Sequence, residues 1–212
     1  DYQDIIKGFK NKEIDIAYLG PLPYAMLQSQ YPHVEPIIVF HQEDGKVYYR
    51  CAISKFTDDK EPLNRPLKVA LTQSLSTCGY YITQKLIKEY YGKELKLQNY
   101  NYTMSHTNAL TETLKGNYDV AGASEEIAEK FTSLGMQILL KSEDLPGFAL
   151  IVNTQTLSTK KIEVIKKAIL DIPKEKYTQW GNKLMYGFEA ADSKLYGSIK
   201  FDQNIPNEGK LE

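Results

Sequence analysis

An α/β fold, built on a mostly parallel sheet with helices on both faces, is what this sequence predicts. Two observations carry that expectation. From Leu67 onward, short apolar β-type runs alternate with amphipathic runs of helical period. Hydroxyl residues and glycines gather where those strands hand over to helices.

Taken in order, residues 2–11 read as a helix with Ile5, Ile6 and Phe9 on one face. Residues 14–19 read as a strand ending in Gly20-Pro21-Leu22-Pro23, and 24–28 as a second helix whose prolines suit a first turn. Strands follow at 37–40 and 47–53, with Glu43-Asp44-Gly45 as a hairpin signal between them. The charged stretch 56–66, with two prolines, reads as a linking loop. The alternation then runs strand 67–71, helix 77–91, strand 95–100, helix 105–115, strand 118–123, short helix 124–132 and strand 136–141. A strand at 148–153 and a helix at 160–170, capped from Ser158-Thr159, complete the regular part. Leu211-Glu212 reads as a cloning remnant.

A chain of 212 residues can bury one large core or two smaller ones. A net charge of −1 gives no footprint for nucleic acid or for an anionic membrane surface. No run approaches the ~18 apolar residues of a membrane span. Cys51 and Cys78 are too few for a disulfide framework and lack metal-ligand spacing, so they read as two buried thiols, with one bridge between them as the alternative. The 16 tyrosines suit a pocket that is apolar on one side and hydrogen-bonding on the other.

The chemistry concentrates in Leu67-Lys-Val-Ala-Leu-Thr-Gln-Ser-Leu-Ser-Thr-Cys-Gly-Tyr80. A strand enters a loop bearing Ser74, Ser76 and Thr77, and a helix marked by Ile82, Leu86 and Tyr90 leaves it. Unpaired N–H groups and the positive end of the helix dipole make such a junction an anion site, and Gly79 allows close approach. The competing reading is a plain helix cap by Ser76 or Thr77. In an open α/β sheet, ligands bind at the carboxyl ends of strands. Four loops hold that position: 20–24 with Tyr24, 74–79 with its hydroxyls, 103–108 with Ser105 and His106, and 123–126 with Ser124, Glu125 and Glu126. One oxyanion pocket explains all four. Asp15 and Asp119 precede loops and are expected to brace them.

Four segments, Ile14-Asp-Ile-Ala-Tyr-Leu-Gly-Pro-Leu-Pro-Tyr24, Ser74-Leu-Ser-Thr-Cys-Gly-Tyr80, Ser105-His-Thr-Asn-Ala-Leu110 and Asp119-Val-Ala-Gly-Ala-Ser124, together resemble one family. It is that of the solute-binding proteins of phosphate, phosphite and phosphonate ABC transporters. The resemblance runs from Asp1 to about Tyr196. It implies a two-lobed type II periplasmic-binding-protein fold, each lobe a mixed, mostly parallel sheet flanked by helices, with ligand clamped between the lobes. Lobe one would be 1–60 and 147–212, lobe two 67–141, and the family's first strand–helix–strand unit would be missing from lobe one. The family's Ser-Thr-Ser-Gly loop falls on Ser76, Thr77, Cys78 and Gly79, with Cys78 a poorer donor than the hydroxyl it replaces. The family's loop tyrosine falls on Tyr24, its pocket histidine on His106, and its acidic residue on Glu125 or Glu126. Members that bind an aminoalkyl phosphonate carry an acid in the return strand, where this chain has Phe148.

The resemblance implies a non-enzymatic, extracytoplasmic binder of a small oxyanion, free or membrane-anchored, without cofactor or metal, that serves an ABC-transporter permease. A ligand-sensing domain fused to a receptor module, or a binder of a non-phosphorus molecule, is the alternative. A third reading makes Cys78 a nucleophile with His106 as its base.

Overall fold

The structure, a computed structural model, describes residues 2–58 and 64–197. In chain order the elements begin with α1 (Tyr2–Lys10), β1 (Ile16–Leu19), α2 (Pro21–Gln30), β2 (Val34–Phe40), β3 (Tyr48–Tyr49) and β4 (Cys51–Phe56). Then come β5 (Lys68–Leu71), a π-helical turn (Thr77–Ile82) running into α3 (Thr83–Tyr91), β6 (Asn99–Tyr102), α4 (His106–Leu114), β7 (Val120–Ser124) and α5 (Glu125–Lys130). The chain continues through β8 (Met136–Lys141), β9 (Leu145–Pro146), β10 (Ala149–Asn153), α6 (Thr159–Leu170), α7 (Lys174–Tyr177) and β11 (Phe188–Ala190). The expected remnant Leu211-Glu212 lies outside the described residues.

The chain forms two compact units. One comprises the residues up to Tyr49 and from Leu145, the other Arg50–Asp144. The first change of unit falls at Tyr49/Arg50, ahead of the expected 60–67, and the second at Asp144/Leu145, inside the expected 141–147. The reason is β4, which pairs with β7 and β8 and so belongs to the second sheet. The single strand expected over 47–53 is two strands, one in each unit. Gly45, at φ 80°, makes the expected turn, closed by Gln42 N–H to the Lys46 carbonyl (2.7 Å). Yet β3 pairs with β9, not with β2, so the turn closes no hairpin between those strands.

In the first unit the sheet order is β1-β10-β2-β11, each neighbouring pair antiparallel. β1 and β2 therefore run the same way, as their helical crossover α2 requires. β10, arriving from far along the chain, is inserted between them in the opposite sense. Sequence alternation reveals the crossover but not the insertion. Ile37, Ile38 and Val152 on the sheet bury against Ile162 of α6, whose N-terminus is capped by Ser158 Oγ accepting Lys161 N–H (3.4 Å). Buried Asn153 ties this unit together: its amide donates to the carbonyls of Phe9 (3.2 Å) and Ile14 (3.4 Å), and its Oδ1 accepts from Tyr31 Oη (3.1 Å).

In the second unit the order is β6-β5-β7-β4-β8. β5 is parallel to both β6 and β7, while β4 is antiparallel to both its neighbours. One face is small, with Ala52, Ala70, Ala121 and Ala123, so α4 brings Ala109 and Leu110 down against it. The run expected as strand 95–100 starts with a 3-10 turn (Leu95–Leu97). Gln98 holds that turn, accepting Leu67 N–H at Oε1 (2.9 Å) and donating from Nε2 to the Glu94 carbonyl (3.1 Å).

Cys51 and Cys78 form a disulfide, with Cα atoms 5.0 Å apart. The expectation of two free thiols is corrected here. The pairing depends on β4 joining the second sheet, which no spacing of two cysteines announces. Closing a loop of sequence separation 27 constrains the unfolded chain by about 3.5 kcal/mol in the chain-entropy picture.

Two predictions follow from this packing. A Cβ on Gly79 would lie 1.8 Å from Thr72 Oγ1 and 2.6 Å from Thr72 Cβ, so Gly79→Ala should cost about 2–3 kcal/mol in urea unfolding, as overpacking does. At the opposite, amino edge of the sheet, Asp119 accepts from Arg65 Nη1 (2.7 Å) and Nη2 (2.6 Å) and from Lys68 N–H (2.7 Å). Burial pushes this carboxyl up, but the bonds from Arg65 and Lys68 overcome it and hold the group below the usual carboxylate range. Asp119→Asn should lose about 1–2 kcal/mol at neutral pH, discounted for the exposed guanidinium. A depressed folded pKa stabilises above the unfolded value. The wild-type margin over the variant should therefore be complete above pH ~4 and shrink as pH falls through the lower folded value, followed by urea titrations across acid pH.

Candidate binding site

The carboxyl ends of the parallel strands β5, β6 and β7 form one edge of the second unit. Main-chain bonds hold the second and third of the four loops there side by side. Thr103 N–H donates to the Leu71 carbonyl (2.8 Å), Met104 N–H to Thr72 (3.0 Å), and Thr72 N–H to Gly79 (3.1 Å). Ser76 is an N-cap: its Oγ accepts Gly79 N–H (2.9 Å), and its carbonyl accepts from both Tyr80 and Tyr81 N–H (3.2 Å each). Its hydroxyl proton is not used by the cap, so Ser76 can cap the helix and still donate to an anion. Ser74 is half-buried on the turn ahead of it, and Thr77 is buried in the first helical turn.

The third loop is set by Ser105, whose Oγ accepts Asn108 N–H (3.0 Å), and by Asn108 Nδ2 donating to the Thr103 carbonyl (3.0 Å). Between them Met104 adopts a left-handed φ of 71° with its side chain exposed, a conformation costly for a residue with a Cβ. His106, half-buried, opens α4 directly after the Ser105 cap.

In the fourth loop the carboxylates are engaged by cations. Glu125 pairs with Lys141 Nζ (2.5 Å), which also pairs with Glu129 (3.0 Å), and the two carboxylates push the Lys141 ammonium pKa up. Glu126 pairs with Lys130 one helical turn on (2.9 Å). The Glu125 N–H donates to the Arg50 carbonyl (2.9 Å), which fixes the start of α5 against the entry to β4.

Ser74, Ser76, Thr77, Cys78, Gly79, His106, Glu125 and Glu126 thus share the carboxyl edge of the second unit. Cys78 differs from its expected role. As half of a disulfide it has no thiol proton to donate and no thiolate to attack with, so only its main chain can contribute, and the Cys78–His106 enzyme is ruled out. The other two candidates lie in the first unit. Tyr24 is 1 % exposed, its hydroxyl accepts Gln28 Nε2 (3.0 Å), and its ring stands edge-on to Tyr196 (5.2 Å). Burial, and secondarily Glu35, pushes the Tyr24 hydroxyl pKa up to about 12. Phe148 stacks on Tyr18 (5.1 Å) and is tilted against Tyr49 (6.3 Å).

Three hydroxyls at the edge stand out beyond the expected set or its named roles. Thr72 Oγ1, Tyr102 Oη and Ser124 Oγ are buried without a hydrogen-bond partner among the described residues. Each lies at or directly after the end of β5, β6 or β7. Desolvation, and then Tyr100 and Tyr80, push the Tyr102 hydroxyl strongly upward, so it is held protonated as a donor. The available signal in sequence was positional: the residue that ends each parallel strand.

A sequence model of the family described as ABC transporter, phosphonate, periplasmic substrate-binding protein matches residues 1–203. No curated protein sequence matches the chain significantly. Among solved structures, PhnD1 from Prochlorococcus marinus, in complex with methylphosphonate, superposes with a TM-score of 0.70 at 14% identity, covering 92% of this chain and 79% of that one. A binding protein component of an ABC phosphonate transporter from Pseudomonas aeruginosa gives 0.69 at 20% identity, covering 92% and 70%. XAC2383 from Xanthomonas citri, bound to chloride ion, gives 0.73 at 16% identity, covering 92% and 77%. These likenesses establish the mixed α/β fold of type II periplasmic binding proteins, and the family is extracytoplasmic and binds solutes without catalysis. They lend no support to a fused sensor module. The chain belongs to the periplasmic substrate-binding proteins of phosphonate ABC transporters.

Proposed function

We propose that this protein binds a small phosphorus oxyanion (phosphate, phosphite or an alkylphosphonate) at the carboxyl edge of β5, β6 and β7 and delivers it to an ABC-transporter permease. The observation that carries the reading is the turn 76–79. There a capping hydroxyl, a buried Thr77 and the main chain of a helix N-terminus lie together on a surface that Gly79 keeps close to the sheet. His106 begins a second helix at the same edge, and the hydroxyls of Thr72, Tyr102 and Ser124 add donors without partners among the described residues. Hydrogen bonds from neutral donors to an ionised oxygen are roughly twice as strong as neutral pairs, and stronger still away from water. Methylphosphonate is the natural first probe, since one protein of this fold holds it.

Ser76→Ala with Thr77→Ala should weaken methylphosphonate binding by roughly two to four decades in calorimetry, each lost bond to a charged oxygen costing ~1.5–3 kcal/mol. Loss of the Ser76 cap should cost only ~1 kcal/mol of folding stability. Unchanged affinity would leave the turn as a cap and nothing more.

Phe148 sets the expected selectivity. By the family resemblance Phe148 falls where members that bind an aminoalkyl phosphonate carry an acid, and here that position is an aromatic ring stacked on Tyr18. Burying an unpaired ammonium costs several kcal/mol, so 2-aminoethylphosphonate should compete at least ~100-fold less well than methylphosphonate. Equal competition would remove Phe148 from the site.

A further inference from the structure

We propose that the Cys51–Cys78 disulfide is a positioning element of the oxyanion site, holding the turn 76–79 in its binding conformation. The inference rests on the proposed oxyanion reading of that turn. Cys78 stands between Thr77 and Gly79, two residues after the capping Ser76, so the covalent tether is attached within the binding turn itself. Its other end is well anchored. Cys51 opens β4, a strand paired on both sides, and lies opposite Ser124 at the end of β7. Cys51 N–H donates to Ser142 Oγ (3.0 Å), and its carbonyl accepts Ser142 N–H (2.8 Å). Both cysteines are at most 2 % exposed.

The tether supplies what the turn's own hydrogen bonding gives up. A π-helical first turn is wide, and here one carbonyl, that of Ser76, serves two donors at 3.2 Å each. Further in, Thr83 Oγ1 donates to the Cys78 carbonyl (2.5 Å), and ahead of Cys78 the Ser76 N–H donates to the Gln73 carbonyl (3.1 Å), so the bridge ties a turn bonded at both ends to a second strand. The bond also fixes the spacing between the turn and Ser124, whose hydroxyl has no partner among the described residues. A loop held in advance does not spend binding free energy on being ordered, so the bridge raises ligand affinity without touching ligand.

The test compares wild type with Cys51→Ala and with Cys78→Ala, two different ways of breaking the same bond. Amide hydrogen exchange over residues 76–81 should quicken by about tenfold or more in both, with β7 and α6 little changed, as local opening implies. Methylphosphonate affinity should fall by about ten- to a hundredfold, while Asp119→Asn, destabilised at the far edge of the same sheet, keeps wild-type affinity. If either single variant fails to fold, Cys51→Val with Cys78→Ala fills the space of the bridge with hydrocarbon and is read the same way. Unchanged exchange at 76–81, or an affinity loss no larger than that of Asp119→Asn, overturns the proposal. A wild-type protein that binds neither methylphosphonate nor phosphate instead overturns the oxyanion reading, and the exchange comparison still decides whether the bridge holds the turn.

Discussion

A Cβ on Gly79 would lie 1.8 Å from Thr72 Oγ1, and one on Gly122 would lie 1.9 Å from Thr83 Oγ1. These two contacts seat the helical run 77–91 at a depth only glycine permits: its main chain at Gly79 lies against the Thr72 side chain just after β5, and its Thr83 side chain lies against β7 at Gly122. The hydroxyls ahead of the run are thereby brought level with the strand ends instead of standing a side-chain layer above them. The disulfide, the Thr72 N–H bond to the Gly79 carbonyl and the Thr83 bond to the Cys78 carbonyl all act on the same few residues. The outer end of α3 stops at Gly92 with a left-handed φ of 65° and presents a 41 % exposed Tyr90.

Local signals made much of this architecture legible. The strand 136–141 and the helix capped by Ser158 appear where alternation and capping chemistry put them, because the signals that mark both lie within a few residues of sequence. The insertion of β10 between β1 and β2 is not legible in that way, nor is the division of 47–53 between two sheets, since each depends on partner strands distant in the chain. The same distinction runs through the site. Ser76 and His106 are readable because helix N-termini announce themselves in sequence. Cys78 is misread because its partner is contributed by another strand. Thr72 and Tyr102 are passed over because an unpartnered buried hydroxyl is defined by its surroundings, not by its neighbours in the chain. Tyr24, a Pro-flanked tyrosine that reads as pocket lining, is buried with its ring edge-on to Tyr196.

On the proposed oxyanion reading, charge at the carboxyl edge leaves the anion-binding work to neutral groups. The acids nearest the loops are matched by cations, Glu125 and Glu129 by Lys141, Glu126 by Lys130, and Asp144 by Arg50. An unmatched carboxylate there would repel an oxyanion across a low-dielectric surface, and an unmatched lysine would attract any anion indiscriminately. Hydroxyls and main-chain N–H groups instead demand correct oxygen positions, because their bonds weaken steeply with angle. Selectivity then depends on how accurately the donors are held, and accuracy is what the glycine contacts and the bridge provide. On that reading a chain of net charge −1 needs no excess of basic residues to hold an anion, because the attraction comes from oriented dipoles close to the ligand.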